Sequence, residues 1–165
     1  MKAETAIERA PKLRRATIED APVLATLRKA FWQDQISKGL LDIPPLDDAS
    51  LLASTESILK RPRTFVHLSF AGEMAAGYVY GQTRIVPGAS STLVAMIEEL
   101  FVDTTLGSPS TALSLVRNLI ADLESSGATR IQAKVLSKNA ITKKFHELCG
   151  FAPNLIYYEY DGLPT

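Results

Sequence analysis

Hydrophobic residues recur along this chain either every three to four positions or every second position, in segments separated by glycine and proline. The first spacing is typical of a helix with one buried face, and the second of a strand with one buried face. Strand character is expected at residues 13–17, 64–70, 74–86, 92–102, 129–136 and 155–160. The segments at 64–70 and 74–86 are separated by a short turn and should form an antiparallel hairpin.

The segments between the strands predict helices. The first has Asp20 as its N-cap ahead of Pro22, since a proline in the first turn forfeits no helical hydrogen bond. Residues 32–48 follow it and are expected to be irregular, because adjacent prolines lie among them. The second helix opens at Asp47 or Asp48 and runs to about residue 60.

The third and fourth helices carry the clearest apolar stripes. The third opens at Ser108 and Pro109, and its stripe consists of Leu113, Val116, Ile120 and Leu123. The stripe of the fourth consists of Ile141, Phe145 and Leu148. Gly150 predicts the end of the fourth helix, where Phe151 should pack back on Phe145. His146 lies off this stripe and is expected on the flank of the helix.

The element order is therefore β, α, α, β, β, β, α, β, α, β. Tight turns in the first half favour antiparallel pairing, and strand–helix–strand connections in the second half favour parallel pairing. This order predicts an α/β (α+β) protein with a mixed, largely antiparallel central sheet. Residues 1–12 are expected to be a flexible amino-terminal segment and residues 13–165 a single domain, which suits a chain of 165 residues.

Composition narrows the class of protein. The chain is 46% hydrophobic and 22% charged, which excludes disorder, and its 18 basic and 18 acidic residues cancel. Nucleic acid and membrane surfaces are therefore not expected partners. A single cysteine, Cys149, and two isolated histidines give neither a disulfide framework nor a metal motif. No signal-like or membrane-spanning segment is seen, so a cytoplasmic protein is expected.

Glu98 and Glu99 are the first candidates for chemistry, because they interrupt an otherwise apolar strand. A buried carboxylate is costly without a partner and is often functional. Strict alternation would place the two on opposite faces, so one of them could simply be solvated. The strand leads to the helix start at Ser108, where free N–H groups and the helix dipole could hold an anion. The alternative there is an ordinary well-capped helix.

The two histidines and the cysteine can each be explained without a role in catalysis. His146 could be a solvent-facing helical residue, and His67 is expected to be structural. Cys149 follows an apolar helix end and is expected to be a small buried hydrophobe rather than a nucleophile.

The order of elements and two segments together resemble the GNAT superfamily of acetyl-CoA-dependent N-acetyltransferases. Residues 97–103, IEELFVD, resemble the end of the fourth strand of that family, and residues 139–151, NAITKKFHELCGF, resemble its pattern of an Asn, an aromatic pair and Gly-Phe. The resemblance spans about residues 13–160 and implies a GNAT-like sheet with helices on both faces. It also implies that Glu98 is a general base or holds a water, that Asn139 contacts the pantetheine arm, and that His146, where the family usually has Tyr, protonates the departing thiolate.

The phosphate loop of the family reads Gln/Arg-x-x-Gly-x-Gly/Ala, and this chain departs from it. The aligned residues are Gly107, Ser108, Pro109, Ser110, Thr111 and Ala112, of which only Ala112 fits. Hydroxyl groups of Ser110 and Thr111 could replace some of the lost contacts, although each missing charge-assisted bond costs about 1.5 to 3 kcal/mol. The resemblance implies that acetyl-CoA binds to this loop and to strand residues Leu100, Phe101 and Val102.

The implied reaction is transfer of the acetyl group to a primary amine by direct attack in a ternary complex, with backbone N–H groups near Leu100 and Phe101 stabilising the oxyanion. The acceptor, a small molecule or a protein amine, would bind near Phe31, Trp32 and Asp34. Aspartates at 42, 47 and 48 follow in the sequence, and the alternative for all of these is helix capping and solubility.

Other hypotheses remain open. One is a non-catalytic module of the same fold that binds a ligand or a protein, with weakened CoA binding, and another is a transferase for a different acyl-CoA. The family usually has two strands after its last helix, and the sequence suggests one here, so a homodimer that covers the exposed sheet edge is expected.

Overall fold

The computed structural model describes residues 11–86 and 92–154, and the strand expected at 155–160 lies outside them. Within these ranges the elements follow the predicted order. The strands are β1 (Lys12–Arg15), β2 (Thr64–Ala71), β3 (Met74–Ile85), β4 (Leu93–Val102) and β5 (Arg130–Ala133). The helices are α1 (Ala21–Ser37), α2 (Asp48–Lys60), α3 (Pro109–Ser125) and α4 (Ala140–Leu148), with a 3₁₀ turn at Ile18–Asp20 before α1.

The five described strands form one sheet in the order β1-β2-β3-β4-β5. The pairs β1–β2, β2–β3 and β3–β4 are antiparallel. The pair β4–β5 is parallel and is connected by a crossover through α3. The hairpin between β2 and β3 turns at Gly72, which has a positive φ of 62° that glycine tolerates. The mixed, largely antiparallel sheet expected from the sequence is confirmed, although β5 is shorter than the predicted strand at 129–136.

Helices cover both faces of this sheet, as expected. On one face α3 packs on the sheet through a cluster that also includes Phe145, Cys149 and Phe151 from α4 and its end. On the other face α1 and α2 pack on the sheet through Leu24, Leu27, Ile58, Val66, Leu68 and Tyr78. No helix in the described part of the chain is long and apolar enough to cross a membrane.

The first helix is longer than its apolar pattern predicts. The sequence predicts an irregular segment from residue 32, but α1 continues to Ser37 and stops before Gly39, whose φ is +65°. Asp20 occupies the expected N-cap position, yet its carboxylate does not cap the helix. It binds Arg14 through two contacts of 2.7 Å and accepts the N–H of Thr17 at 2.8 Å.

The buried stripe of α3 differs from the predicted one. Leu115 and Leu119 are fully buried together with Val116 and Leu123, whereas Ile120 is only half-buried. Both sets of positions have helical spacing, and the packing of α3 across the sheet selects the first. In β2, His67 faces α3 and its Nε2 lies 2.9 Å from Asp122, consistent with a structural role.

Candidate functional site

A β-bulge in the central strand places the two glutamates. Tyr80 of β3 pairs with Glu99, but the next residue, Gly81, pairs with Ile97. Glu98 is therefore an extra residue on β4 with no partner opposite it. A bulge of this kind interrupts the alternation of side chains and re-aims the residues around it.

The bulge brings both carboxylates to one face of the sheet. Glu98 accepts from the amide of Gln82 at 2.9 Å, and Glu99 accepts from the hydroxyl of Tyr78 at 2.7 Å. Gln82 and Tyr78 are four residues apart on β3, so they share a face, and it is the face covered by α1 and α2. The expectation that strict alternation separates the two glutamates is therefore wrong here, because the bulge resets it.

Glu99 belongs to a buried network. Arg28 of α1, 4% exposed, holds its carboxylate through two contacts of 3.0 Å each. The same guanidinium donates to the hydroxyl of Thr55 on α2 at 3.0 Å. Burial first, and then the charge of Glu99, hold the pKa of Tyr78 well above its usual range. Glu99 is 8% exposed and neutralises a buried guanidinium, so we assign it a structural role.

The side chain of Glu98 is slightly more exposed to solvent than that of Glu99 and has different partners. Its side chain is 12% exposed, and the ammonium group of Lys134, at the end of β5, lies 2.6 Å from its carboxylate. Burial, with the charges of Glu99 and Glu98 behind it, raises the pKa of the neighbouring Tyr80 to about 12. Tyr80 therefore remains a neutral hydrogen-bonding group at ordinary pH values.

The sheet opens next to Glu98. Strand β5 pairs with Val94–Ile97 of β4, and a last bond of 3.3 Å joins the N–H of Lys134 to the carbonyl of Ile97. Beyond it, residues 99–102 pair only with β3 among the described strands, and Glu98 is the unpaired bulge residue. Every second backbone group of this segment, which contains Leu100, Phe101 and Val102, thus faces away from β3 without a strand partner.

The loop after β4 is held by its own hydrogen bonds. The carbonyl of Asp103 accepts the N–H of Leu106 at 3.0 Å and of Gly107 at 2.8 Å. A Cβ atom at Gly107 would lie 2.6 Å from Cγ1 of Val102, so the position that aligns with Gln or Arg in the phosphate-loop pattern leaves no room for a side chain in this backbone. An open cleft of about 470 Å³ adjoins the loop and includes Ser108, Ser110 and Thr111 in its lining.

Few free donors remain at the start of α3. The N–H of Ser108 donates to the hydroxyl of Thr111 at 3.2 Å, and the N–H groups of Thr111 and Ala112 donate to the carbonyl of Ser108. Pro109 has no N–H. Among these residues only the N–H of Ser110 has no acceptor within the described structure. The expected anion site is therefore weaker than a helix start of this kind usually provides.

The fourth helix corrects an expectation about its buried face. His146 is 6% exposed, whereas Ile141 and Leu148 of the predicted stripe are 81% and 76% exposed. The imidazole lies edge-on to Phe151 with ring centroids 5.5 Å apart. Phe151 thus packs on His146, and the end of the helix at Gly150, with φ of +89°, is as predicted.

Hydrogen bonds orient the side chains of His146 on α4 and of Asn139, the residue that precedes the helix. His146 Nδ1 lies 2.8 Å from the carbonyl oxygen of Thr142 and must donate to it, so Nε2 is the ring nitrogen that this bond leaves available. Asn139 caps the helix through its side-chain oxygen, which accepts the N–H of Thr142 at 3.0 Å. Burial raises the pKa of the half-buried Cys149, in keeping with a packing role rather than a nucleophile.

Of the expected acceptor residues, Phe31 and Trp32 pack together with ring centroids 5.5 Å apart, whereas Asp34 is engaged with another residue. Phe31 packs edge-on against Tyr78 and Phe101, close to the glutamates. Trp32 lines a narrow cavity with Pro45 and Leu51. Asp34 is paired with Lys38 at 2.8 Å on the surface of α1, so its carboxylate is already engaged. No group of three metal-binding side chains occurs in residues 11–86 and 92–154.

Arg28 and Lys134 are the residues that sequence reasoning missed. Arg28 follows Leu24 by four positions and precedes Phe31 by three, so its place on the buried stripe was visible in the sequence. Lys134 lies on the polar side of an alternating strand and gave no comparable signal, because its partner is 36 residues away.

Comparisons with known proteins agree with this architecture. No protein-family model and no curated relative matches the sequence. Among solved structures, the aminoglycoside N-acetyltransferase AAC(6')-Iy in complex with CoA has a TM-score of 0.73 at 20% identity, covering 94% of this chain and 99% of that chain. The ribosomal-protein-alanine N-acetyltransferase of Brucella melitensis biovar Abortus 2308 has a TM-score of 0.73 at 15% identity, covering 93% of this chain and 100% of that one.

A protein described as a transcriptional regulator, from Bacillus halodurans C-125, is also similar, with a TM-score of 0.75 at 18% identity, 93% coverage of this chain and 100% of that chain. At these identities the similarity establishes the fold. The chain therefore has the GNAT acetyltransferase fold that its motifs indicated.

Proposed function

We propose that this protein is an acyltransferase that moves the acetyl group of acetyl-CoA to a primary amine by direct attack in a ternary complex. The observation that carries this proposal is the bulge that places Glu98 beside the opening between β4 and β5. A carboxylate there can take a proton from an amine, and the backbone N–H groups of residues 98–102 that have no strand partner among the described residues can stabilise a developing oxyanion. The CoA-bound fold neighbour supports the choice of acetyl-CoA.

Each residue has a stated role in the proposed mechanism. Glu98 accepts the proton of the acceptor ammonium, directly or through a water. Leu100, Phe101 and Val102 hold the pantetheine arm and the thioester carbonyl through their backbone, with Asn139 on the other side. Residues Ser108, Ser110, Thr111 and Ala112 receive the pyrophosphate, and Gly107 lets the loop pack against β4.

His146 is proposed as the group that protonates the departing thiolate: as the imidazolium it would give up the proton on Nε2 and be left as the neutral ring with its hydrogen on Nδ1. Its Nδ1–H is held by Thr142 and its ring by Phe151, so the imidazole has one fixed orientation. His146→Phe keeps an aromatic ring in this packing and should lower turnover by roughly 10²-fold or more, with unchanged affinity for CoA by calorimetry. Full turnover in this variant would assign His146 to packing alone.

Binding of the cofactor tests the proposal directly. Because a ligand that binds the folded state raises its melting temperature, a thermal shift with acetyl-CoA and with CoA should be positive and should rise with concentration. Other acyl-CoA compounds, compared in the same assay, test the alternative of a different acyl group. A chain that shows no shift and no heat of binding at millimolar acetyl-CoA is not an acetyltransferase.

A non-catalytic binding module remains the second candidate, and one observation favours it. The loop that should hold the pyrophosphate has used most of its N–H groups internally and contains no basic residue from Gly107 to Ala112. The two candidates differ in release of CoA thiol when amines are added. Formation of free thiol with a panel of aminoglycosides, polyamines and peptide amino termini supports the enzyme, whereas cofactor binding without thiol release supports the module.

The acceptor is proposed to be a small-molecule or protein amine that approaches past α1, where Phe31 and Trp32 lie. Asp34 is paired with Lys38 and Glu98 with Lys134, so an acceptor ammonium group has to displace Lys134 to meet Glu98. A cytoplasmic location, the absence of a metal and a homodimer stay predictions from the sequence, and the strand on which the dimer depends lies outside the described residues.

A further inference from the structure

Lys134 occupies the position where an acceptor amine is needed. Its Nζ lies 2.6 Å from Oε2 of Glu98, the proposed general base. Its own backbone makes the last hydrogen bond between β5 and β4 before the strands separate, so the residue lies at the vertex of the opening. A primary amine, a carboxylate and the opening between β4 and β5 that is proposed to hold the thioester thus meet at one point.

The pair differs from the other lysine–carboxylate pairs of the described chain. Lys60 and Glu56 on α2, at 2.9 Å, have side chains 62% and 43% exposed, as a solvated helix pair does. In the Lys134–Glu98 pair the lysine is 59% exposed while the carboxylate is only 12% exposed and also accepts from Gln82. The lysine thus reaches from solvent to a fixed carboxylate, which is the arrangement that an external amine acceptor would adopt.

We propose that Lys134 is a self-acetylation site of this protein. The inference rests on the proposed function, because acetyl-CoA supplies the acetyl group. Glu98 takes one proton from the Lys134 ammonium and passes it to solvent, and Nζ then attacks the thioester carbonyl carbon. The C–N bond forms, the C–S bond breaks, and the second proton lost by the nitrogen is taken up by the departing thiolate. The products are N-acetyl-lysine, CoA thiol and one proton.

Acetylation at this position would also change the site itself. The amide that replaces the ammonium is neutral, so it cannot pair with Glu98, and the carboxylate is left facing the opening without its cation. Before acetylation, an external ammonium must displace Lys134 from Glu98. External amines and Lys134 are therefore competitors for the same carboxylate.

Mass spectrometry of the purified full chain incubated with acetyl-CoA tests this inference. The fraction of Lys134 that carries one acetyl group is followed with time, and Lys60 in the same sample serves as the reference for uncatalysed acetylation of an exposed, paired lysine. We expect Lys134 to be acetylated at a rate that exceeds that of Lys60 and does not depend on protein concentration, since the reaction is intramolecular. Addition of an amine acceptor should slow it.

Two variants separate the outcomes. Glu98→Gln should lower the rate at Lys134 by at least about 100-fold, because it removes the proton acceptor, and should leave Lys60 unchanged. Lys134→Arg keeps the ion pair and should abolish the modification of residue 134. If calorimetry shows acetyl-CoA bound but Lys134 is acetylated no faster than Lys60, the self-acetylation proposal is wrong and the proposed function stands. If acetyl-CoA does not bind, both are wrong.

Discussion

Glu98 and Glu99 are neighbours in the sequence with different surroundings. Glu99 is enclosed by Arg28 and Tyr78, while Glu98 meets the opening of the sheet through Lys134. A glutamate that neutralises a buried guanidinium contributes to stability, whereas the role proposed for Glu98 is to accept a proton from an amine. The two substitutions should therefore affect different measurements.

Glu98→Gln should lower turnover by about 10² to 10⁴-fold with little change in the free energy of unfolding, since it keeps the shape of the side chain and removes a base. Glu99→Gln should destabilise the protein by about 3 to 5 kcal/mol, because it leaves the buried charge of Arg28 without its counter-ion. Urea denaturation and initial rates below the melting transition measure the two effects. The reverse pattern would transfer the role of base to Glu99.

Asp20 makes a pH-dependent contribution to stability. The hydrogen bond from Arg14, with help from the N–H of Thr17, lowers its pKa to about 2. A depressed pKa means that the stabilisation is complete above the pKa of the unfolded chain, about 4, and is lost as the pH falls towards about 2. Because Arg14 is partly exposed, the contribution is discounted to about 1 to 2 kcal/mol.

The Asp20→Asn variant should accordingly be less stable than the parent by about 1 to 2 kcal/mol at neutral pH, and this difference should shrink between about pH 4 and pH 2. Denaturant titrations of both proteins across this range measure it. A constant difference down to pH 2 would mean that the carboxylate is protonated or unpaired in the folded state.

The third helix shows how packing selects among faces that look alike in sequence. Leu119 is fully buried against the sheet and Ile120, one position later, is half-buried. Leu119→Ala should cost about 2 to 5 kcal/mol of stability, because it opens a cavity beneath α3. Ile120→Ala should cost less, since the site can still reach solvent. A larger loss for Ile120→Ala than for Leu119→Ala, measured by urea denaturation, would show that the helix packs in the orientation predicted from the sequence.

The bulge in β4 and the point at which β5 separates from β4 lie next to each other on the same strand. The bulge turns Glu98 and Glu99 to one face, and the end of β5 pairing at Ile97 frees the edge of the same strand just beyond it. Neither feature alone would make a site. Together they place a carboxylate, a lysine and unpaired backbone groups within a few residues of each other.

Arg28 connects three layers of the molecule. It extends from α1 to Glu99 on β4 and to Thr55 on α2, and all three side chains are buried. The covering helices are therefore fixed to the strand that carries the proposed base. This connection should make the stabilities of the α1–α2 layer and of the sheet depend on one another.

A double-mutant cycle measures that connection. Arg28→Met should lower the free energy of unfolding by about 3 to 5 kcal/mol, because it leaves the buried carboxylate of Glu99 without its counter-ion. Glu99→Gln should lower it by a similar amount. The double variant should lose clearly less than the sum of the two, since neither then leaves a buried charge unpaired. Additive losses in denaturant unfolding would show that the two residues do not act as a pair.

The sequence by itself determined the elements and their order. The hairpin, the helix starts at Asp48 and Pro109 and the end of α4 at Gly150 were all predicted, because each depends on turn residues, caps and periodicity within a few positions. The motif around Glu98 likewise indicated the fold, because it is a short run of adjacent residues. The end of α1 was missed because its last two turns, from Trp32 to Ser37, lack an apolar stripe.

Tertiary structure alone decided what each candidate residue can do. Arg28 meets Glu99 across 71 positions and Lys134 meets Glu98 across 36, and no local rule specifies such partners. His146 is buried while Ile141 and Leu148 are exposed, because the sheet and Phe151 select one face of α4 where periodicity offered another. A bulge needs two strands in register before it exists. The chemistry of this protein therefore depends on contacts between distant segments, whereas its elements depend on near neighbours.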